Sequence, residues 1–239
     1  MEPQILLPSY GVHNSNLEEA AKRIEKSSQW KKLDTIILIP AAGTIPTKVV
    51  SSWLNLMTPP NNAMYRMFCM GMEVGAAYSQ AIEMILANPD LNKWKYILTV
   101  EHDNIPPPDA LLKLLADMEE HPEYACIGGL YFTKGPDGVP QIWGDPRDVS
   151  INFRPQIPLP NTIQECVGTG MGFNLWRLEM FKDTRLRRPW FKTLTGLEGQ
   201  GVMTQDLYFW SDARKYGYRC AVDTRIPVGH YDINTDITW

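Results

Sequence analysis

The sequence holds no apolar run approaching the ~18 residues that cross a bilayer. Its start, MEPQILLPSY, lacks the basic and apolar regions of a signal peptide. The chain therefore reads as a soluble, cytoplasmic domain with no transmembrane segment, or as a piece whose anchor has been removed. Cysteine is sparse: Cys69, Cys126, Cys166 and Cys220 lie far apart, with no C-x-x-C pair and no paired histidine spacing. That spacing argues against a zinc site or a disulfide framework and for buried, reduced thiols. Positive charge is not in excess. The net charge of −4 gives no whole-molecule attraction for nucleic acid or anionic membrane, although a local basic face stays open. No G-x-G-x-x-G follows the first apolar strand, which argues against a dinucleotide-binding oxidoreductase.

What the sequence does contain is an alternation of two hydrophobic periods. Leu17, Ala20, Ala21 and Ile24 recur at helical spacing within residues 16–30. The run TIILIP (35–40) is short, continuously apolar and β-branched, as a buried parallel strand requires, and it ends in a Pro-Ala-Ala-Gly turn. A helix over 46–57, a strand over 65–70, a helix over 73–87, a strand over 96–100, a helix over 108–120 and a strand over 126–133 follow. A Gly/Pro-rich loop then runs to about residue 160. After the glycine-dense segment GTGMGF (168–173), a helix over 204–216 precedes a final strand near 219–222. This alternation predicts an open, mostly parallel α/β sheet flanked by helices, formed by a single domain.

Ligands of open α/β sheets gather at the carboxyl ends of strands. At one such end stand Glu101, His102 and Asp103, in YILTVEHDNIPPP. If the strand geometry continues, Glu101 and Asp103 share one side and His102 faces the other. Two carboxylates on one side suit a hard divalent cation such as Mg²⁺ or Mn²⁺. The competing reading is a helix cap from Asp103 or Asn104, with Glu101 merely solvated. Asp109 offers a separate acid at the helix start, so capping explains less of the pattern. Two later stretches add to the set: GTGMGFN (168–174), whose small residues would let backbone approach a ligand, and Thr204-Gln205-Asp206 followed by Val228-Gly229-His230. Taken singly, each has a plain alternative: a packed turn, a helix N-terminal charge, a satisfied interior histidine.

In their order, these motifs resemble glycosyltransferases of the GT-A fold, close to the family 2-like group. TIILIPAAG matches the first strand and its Pro-containing turn. EHD at 101–103 matches the Asp-X-Asp-type metal motif, and GTGMGFNLWRLEMF matches the Gly-rich stretch before a helix. Asp206 matches the acid at a helix start, and His230 matches the late metal-binding histidine. The resemblance runs from about residue 34 to 231 and leaves residues 1–33 as an N-terminal extension. It departs from the pattern at Glu101, which replaces the usual first Asp, and at Gln205, which replaces Glu in the Glu-Asp pair.

The resemblance implies a Rossmann-like nucleotide-sugar-binding half over 34–104 and an acceptor-binding, catalytic half over 105–239. It places a UDP- or GDP-sugar near Pro40, Ala41, Ala42, Gly43, Glu73 and Gln80. His102, off the metal, is grouped with the nucleotide, as is Asp103. It gives Mn²⁺ or Mg²⁺ the ligands Asp103 and His230, with Glu101 helping directly or through water. Gly170, Met171, Gly172 and Gln205 would meet the acceptor, and Asp206 would be the general base of an inverting transfer.

The acceptor is a glycan, a small molecule or a modified nucleic acid. The last possibility comes from residues 177–192, where six basic side chains are interleaved with Phe181, Trp190 and Phe191, next to Trp176; the same composition also suits a diphosphate-binding loop, or a solvated surface over core aromatics. The competing functions are a sugar nucleotidyltransferase and a non-catalytic nucleotide- or sugar-binding module of the same fold. The first lacks its long Gly-rich signature with Arg and Lys after the first strand. The second is kept open by Gln205.

Overall fold

The computed structural model describes residues 33–60, 62–196 and 201–239. The strands in chain order are β1 (Thr35–Ala41), β2 (Met64–Met70), β3 (Tyr96–Val100), β4 (Asn104–Ile105), β5 (Cys126–Leu130), β6 (Ile142–Trp143) and β7 (Ile163–Cys166). Then come β8 (Gly168–Thr169), β9 (Phe173–Arg177), β10 (Leu194–Thr195), β11 (Gly201–Met203), β12 (Cys220–Pro227), β13 (Gly229–Asp232) and β14 (Ile237–Thr238). The helices are α1 (Thr47–Leu54), α2 (Val74–Ala87), α3 (Ala110–Glu120) and α4 (Gln205–Ala213).

Seven strands form one sheet in the order β2-β1-β3-β9-β5-β12-β7. β1, β2, β3, β5 and β12 run one way, while β9 and β7 run against them. The result is a mixed α/β fold with a mostly parallel sheet. Every residue of β1 and β3 is buried, because both faces of the sheet centre are covered; this is why TIILIP and YILTV read as unbroken apolar runs. Alternation along β1 divides the core. Ile36 and Leu38 join α2, α4 and the aromatic cluster on one face, whereas Ile37 and Ile39 join α3 on the other.

The described elements depart from the sequence expectation in three places. The helix expected over 204–216 is regular only over Gln205–Ala213 and tightens into a 3₁₀ turn over Arg214–Tyr216. The Gly-rich stretch leads not into a helix but into β9, which fills the sheet centre between β3 and β5. Its FNLWR sequence is too short to reveal a period. The strand near 219–222 is not the last, since β13 and β14 follow it. The helix expected over 16–30 lies outside the described residues.

Four aromatic residues from the basic stretch form the centre of one core face. Trp176, Phe181, Trp190 and Phe191 are each at most 1% exposed. Trp176 stacks on Trp210 at 5.4 Å, and its indole N–H donates to Thr99 Oγ1 at 3.2 Å. These rings are therefore not available to stack on bases, which removes the feature that pointed to nucleic acid. Several of the basic groups are satisfied internally: Arg185 pairs with Asp183, and Arg187 lies over the Tyr208 ring. Trp176→Ala should lower stability by about 3–5 kcal/mol. The check is a fall in the urea midpoint at unchanged m-value.

Candidate functional site

β3 stops at Val100 because the chain turns at once: the Asn104 N–H donates to the Glu101 carbonyl at 3.0 Å. Strand alternation therefore does not extend through 101–103, and the two acids are placed by a turn. After it, β4 pairs antiparallel with β13, setting Asn104 opposite His230. The Tyr231 N–H donates to the Asp103 carbonyl at 2.7 Å, which closes the register beside Asp103. His230 Nε2 consequently lies 3.3 Å from Asp103 Oδ2.

The imidazole is fixed from behind. His230 Nδ1 lies 2.7 Å from the Phe132 carbonyl oxygen, which can only accept, so Nδ1 carries a proton. Nε2 is thereby left to face the carboxylate. Tyr131 packs edge-on against the ring at 5.6 Å. Neither acid of the EHD motif caps the next helix. α3 starts at Ala110, with Asp109 at the cap position and ion-paired to Lys113 at 2.8 Å.

The site's three carboxyl groups have different environments. Burial opposes ionisation of Asp103, but the hydrogen bonds from His230 and from Lys134 Nζ, at 2.6 Å, outweigh it and hold the group at about 2. Burial pushes Glu101 up to about 8, helped by the negative charges of Asp103 and Asp206; the Tyr78 hydroxyl at 3.4 Å only partly offsets this. Burial also raises Asp206, against an opposing bond from the Leu207 N–H to Oδ1 at 2.9 Å. Asp206 is the second residue of α4 and 5% exposed.

An oxygen from the turn after β3 and an imidazole nitrogen from β13 form a donor pair suited to Mn²⁺ or Mg²⁺. Among the described residues, no group of three or more His, Cys, Asp or Glu side chains is gathered tightly enough to hold an ion by itself. The Glu101 carboxyl is turned towards Tyr78 rather than joining the pair. The residues fit an ion that takes its remaining ligands from substrate phosphates or water. Beside the pair, Asn104 is fully buried with neither side-chain amide atom hydrogen-bonded.

The other residues singled out by sequence fall into three groups. Pro40 and Ala41 end β1 inside the core, and Ala42 and Gly43 follow as an exposed turn, with Gly43 at φ +129°. Glu73 caps α2 by accepting from the Ala76 N–H at 2.9 Å, and it also accepts from Thr193 Oγ1 at 2.8 Å. Glu73 and Gln80 line a cavity of about 310 Å³ with Ser79, Phe191 and Lys192. His102 is half-buried in the turn, and Gln205 is half-buried at the first position of α4.

The glycines of GTGMG make room for protein rather than for an open channel. A Cβ at Gly170 would lie 2.3 Å from the Tyr131 hydroxyl, and one at Gly172 would lie 2.6 Å from Asn104 Oδ1. Met171 between them is 2% exposed. Sequence reasoning missed Lys134, Tyr131 and Tyr78. Tyr131 and Lys134 follow β5, so the strand-end rule that selected Glu101 could have selected them too.

Glu101 supplies a pH test with a definite sign. Its folded pKa lies above the usual carboxylate value of about 4.3, so the protonated form suits the fold and ionisation opposes it. In chelator-containing buffer, stability should fall from roughly pH 5 to pH 8 with a limiting slope of about 1.4 kcal/mol per pH unit. Glu101→Gln should flatten that part of the Tm–pH profile; an unaltered slope would contradict the assignment.

Comparison with family models and with curated proteins gives no match. Among solved structures, the fold is similar to the crystal structure of A197 from STIV, with a TM-score of 0.59 and 17% sequence identity. The match covers 83% of this chain and 86% of that one. At that identity the likeness concerns the fold alone.

Proposed function

We propose that the chain is a GT-A-type glycosyltransferase moving a sugar from a UDP- or GDP-sugar to an acceptor hydroxyl, with inversion at the sugar carbon. The observation that carries the reading is the meeting of Asp103, just past β3, with His230 on β13. Asp206, whose charge is felt at Glu101, completes the set from the start of α4. All of it gathers around the carboxyl ends of parallel strands, where open α/β sheets bind their ligands. The order of the sequence motifs adds the resemblance to GT-A enzymes.

In this reading Asp103 and His230 would hold Mn²⁺ or Mg²⁺, which when bound helps neutralise charge on the departing nucleoside diphosphate. Lys134 brings a second cation to the same place. Its ammonium rests on Asp103, and its side chain is 34% exposed, free to turn towards a phosphate oxygen. The nucleotide lies over the turn at 40–43, with Glu73 and Gln80 on the neighbouring helix. Asp206 accepts the acceptor's proton as the acceptor oxygen bonds to the sugar carbon and the bond to the diphosphate oxygen breaks. Burial makes Asp206 a stronger base than a solvated aspartate, which favours that step. No described helix is long and apolar enough to cross a membrane, so the acceptor is sought in solution first.

The test pairs turnover with binding. Incubated with UDP-, GDP- and dTDP-sugars and Mn²⁺, the protein should transfer or hydrolyse one donor. Asp206→Asn should lower that rate by about 10²–10⁴-fold while leaving the Tm rise caused by the nucleoside diphosphate. His230→Ala should remove the metal-dependent part of the Tm rise. Turnover unchanged in Asp206→Asn would overturn the base assignment. The absence of any Tm shift with nucleoside diphosphate and metal would overturn the donor class.

A further inference from the structure

Away from that site, three of the four cysteines stand in a row across the sheet. Cys220 on β12 is the register partner of Cys126 on β5 on one side and of Cys166 on β7 on the other. All three are fully buried and face the aromatic side of the core. The two pairs are not equivalent. β12 and β5 run parallel, whereas β12 and β7 run antiparallel, and it is between Cys166 and Cys220 that the sulfurs touch, at 3.7 Å.

We propose that Cys166 and Cys220 form a modification site, a dithiol that closes to a disulfide between β7 and β12. Residues directly opposed in an antiparallel ladder have Cα atoms about 4.5–5.5 Å apart, inside the ~4.4–6.8 Å span of disulfides. Closure needs the two sulfurs to approach by less than 2 Å, to about 2.05 Å, by side-chain rotation alone. Each sulfur also sits against the other residue's backbone carbonyl, at 3.9 Å for Cys166 and 3.4 Å for Cys220. Both side chains are therefore already turned towards the partner strand. The bond closes a loop between residues 54 apart in sequence, and it pins the edge strand β7, which follows a long stretch from 131 to 162 whose one named strand is the two-residue β6.

The oxidant is a small disulfide such as glutathione disulfide. One cysteine thiolate displaces a glutathione thiolate to give a mixed disulfide, and the second displaces the other glutathione. Two protein thiols are oxidised to one disulfide as glutathione disulfide is reduced to two glutathione molecules. Burial raises the Cys220 thiol well above its ordinary range, so the folded protein reacts slowly, and closure is fastest while the edge strand is open.

The experiment is oxidative refolding in a glutathione redox buffer, beside treatment of the native protein with glutathione disulfide. Thiols are then blocked in denaturant, and the protein is digested without reduction and mapped by mass spectrometry. The expected result is loss of two of the four titratable thiols, a linked Cys166–Cys220 peptide, reversal by dithiothreitol, and a Tm several degrees above that of the reduced protein. Cys220→Ala should leave its three remaining thiols unlinked, and Cys126→Ala should leave the Cys166–Cys220 link intact. Four free thiols after oxidative refolding to the native fold, or a dominant Cys126–Cys220 link, would overturn the proposal.

Discussion

The two-residue ladder between β4 and β13 brings Asp103 to His230, 127 residues away in the chain. It forms because the turn after β3 redirects the chain at once, and because the Asp103 carbonyl accepts from the Tyr231 N–H. A histidine on β13 and an aspartate beside β4 then have little choice but to meet. The Phe132 carbonyl accepts from Nδ1–H, so the ladder turns Nε2, and not merely a ring edge, towards the carboxylate. Tyr131 supports this arrangement twice, by packing against the imidazole and by accepting from the Gly172 N–H at 2.8 Å.

Around that ladder the carboxyl groups are divided by their partners rather than by their residue type. Asp103 has two cationic or N–H neighbours and stays ionised into strong acid, whereas Glu101 has a phenol and two like charges and holds its proton at neutral pH. Environments that drive neighbouring titratable groups apart are how one site separates a charge-bearing ligand from a proton acceptor. Asp206 is buried, which raises its pKa, while the Thr204 side chain and the backbone N–H groups of Leu207 and Asp206 oppose the shift.

Behind the site, the aromatic cluster makes one face of the sheet rigid. Trp176 on the central antiparallel strand touches Phe181, Phe191, Phe209 and Trp210, tying the 178–191 segment and α4 to β9. Asp206 is thus mounted on a helix packed against this core, and the acid's position follows from packing four residues further on. The glycines at 170 and 172 belong to the same economy of space, since Tyr131 and Asn104 fill the volume that their side chains would need.

The fold class was legible because strands buried on both faces are continuous apolar runs and α2 and α3 carry helical periods. β1, β3, β5, α2 and α3 lie close to where those periods place them. β9 and β13 were not legible. FNLWR and GHYD are too short to show a period, and each becomes a strand only because a neighbour supplies the other half of its hydrogen bonds. The sequence by itself determined which acids stand at a strand end and which residues build the core, since both follow from local periodicity. Only the tertiary structure decided that Glu101 turns to Tyr78, that Lys134 joins the site, and how near His230, which the resemblance pairs with Asp103, comes to that carboxylate. Those pairings depend on contacts between segments distant in the chain, and on a turn that ends strand alternation, and neither leaves a local mark in the residues concerned.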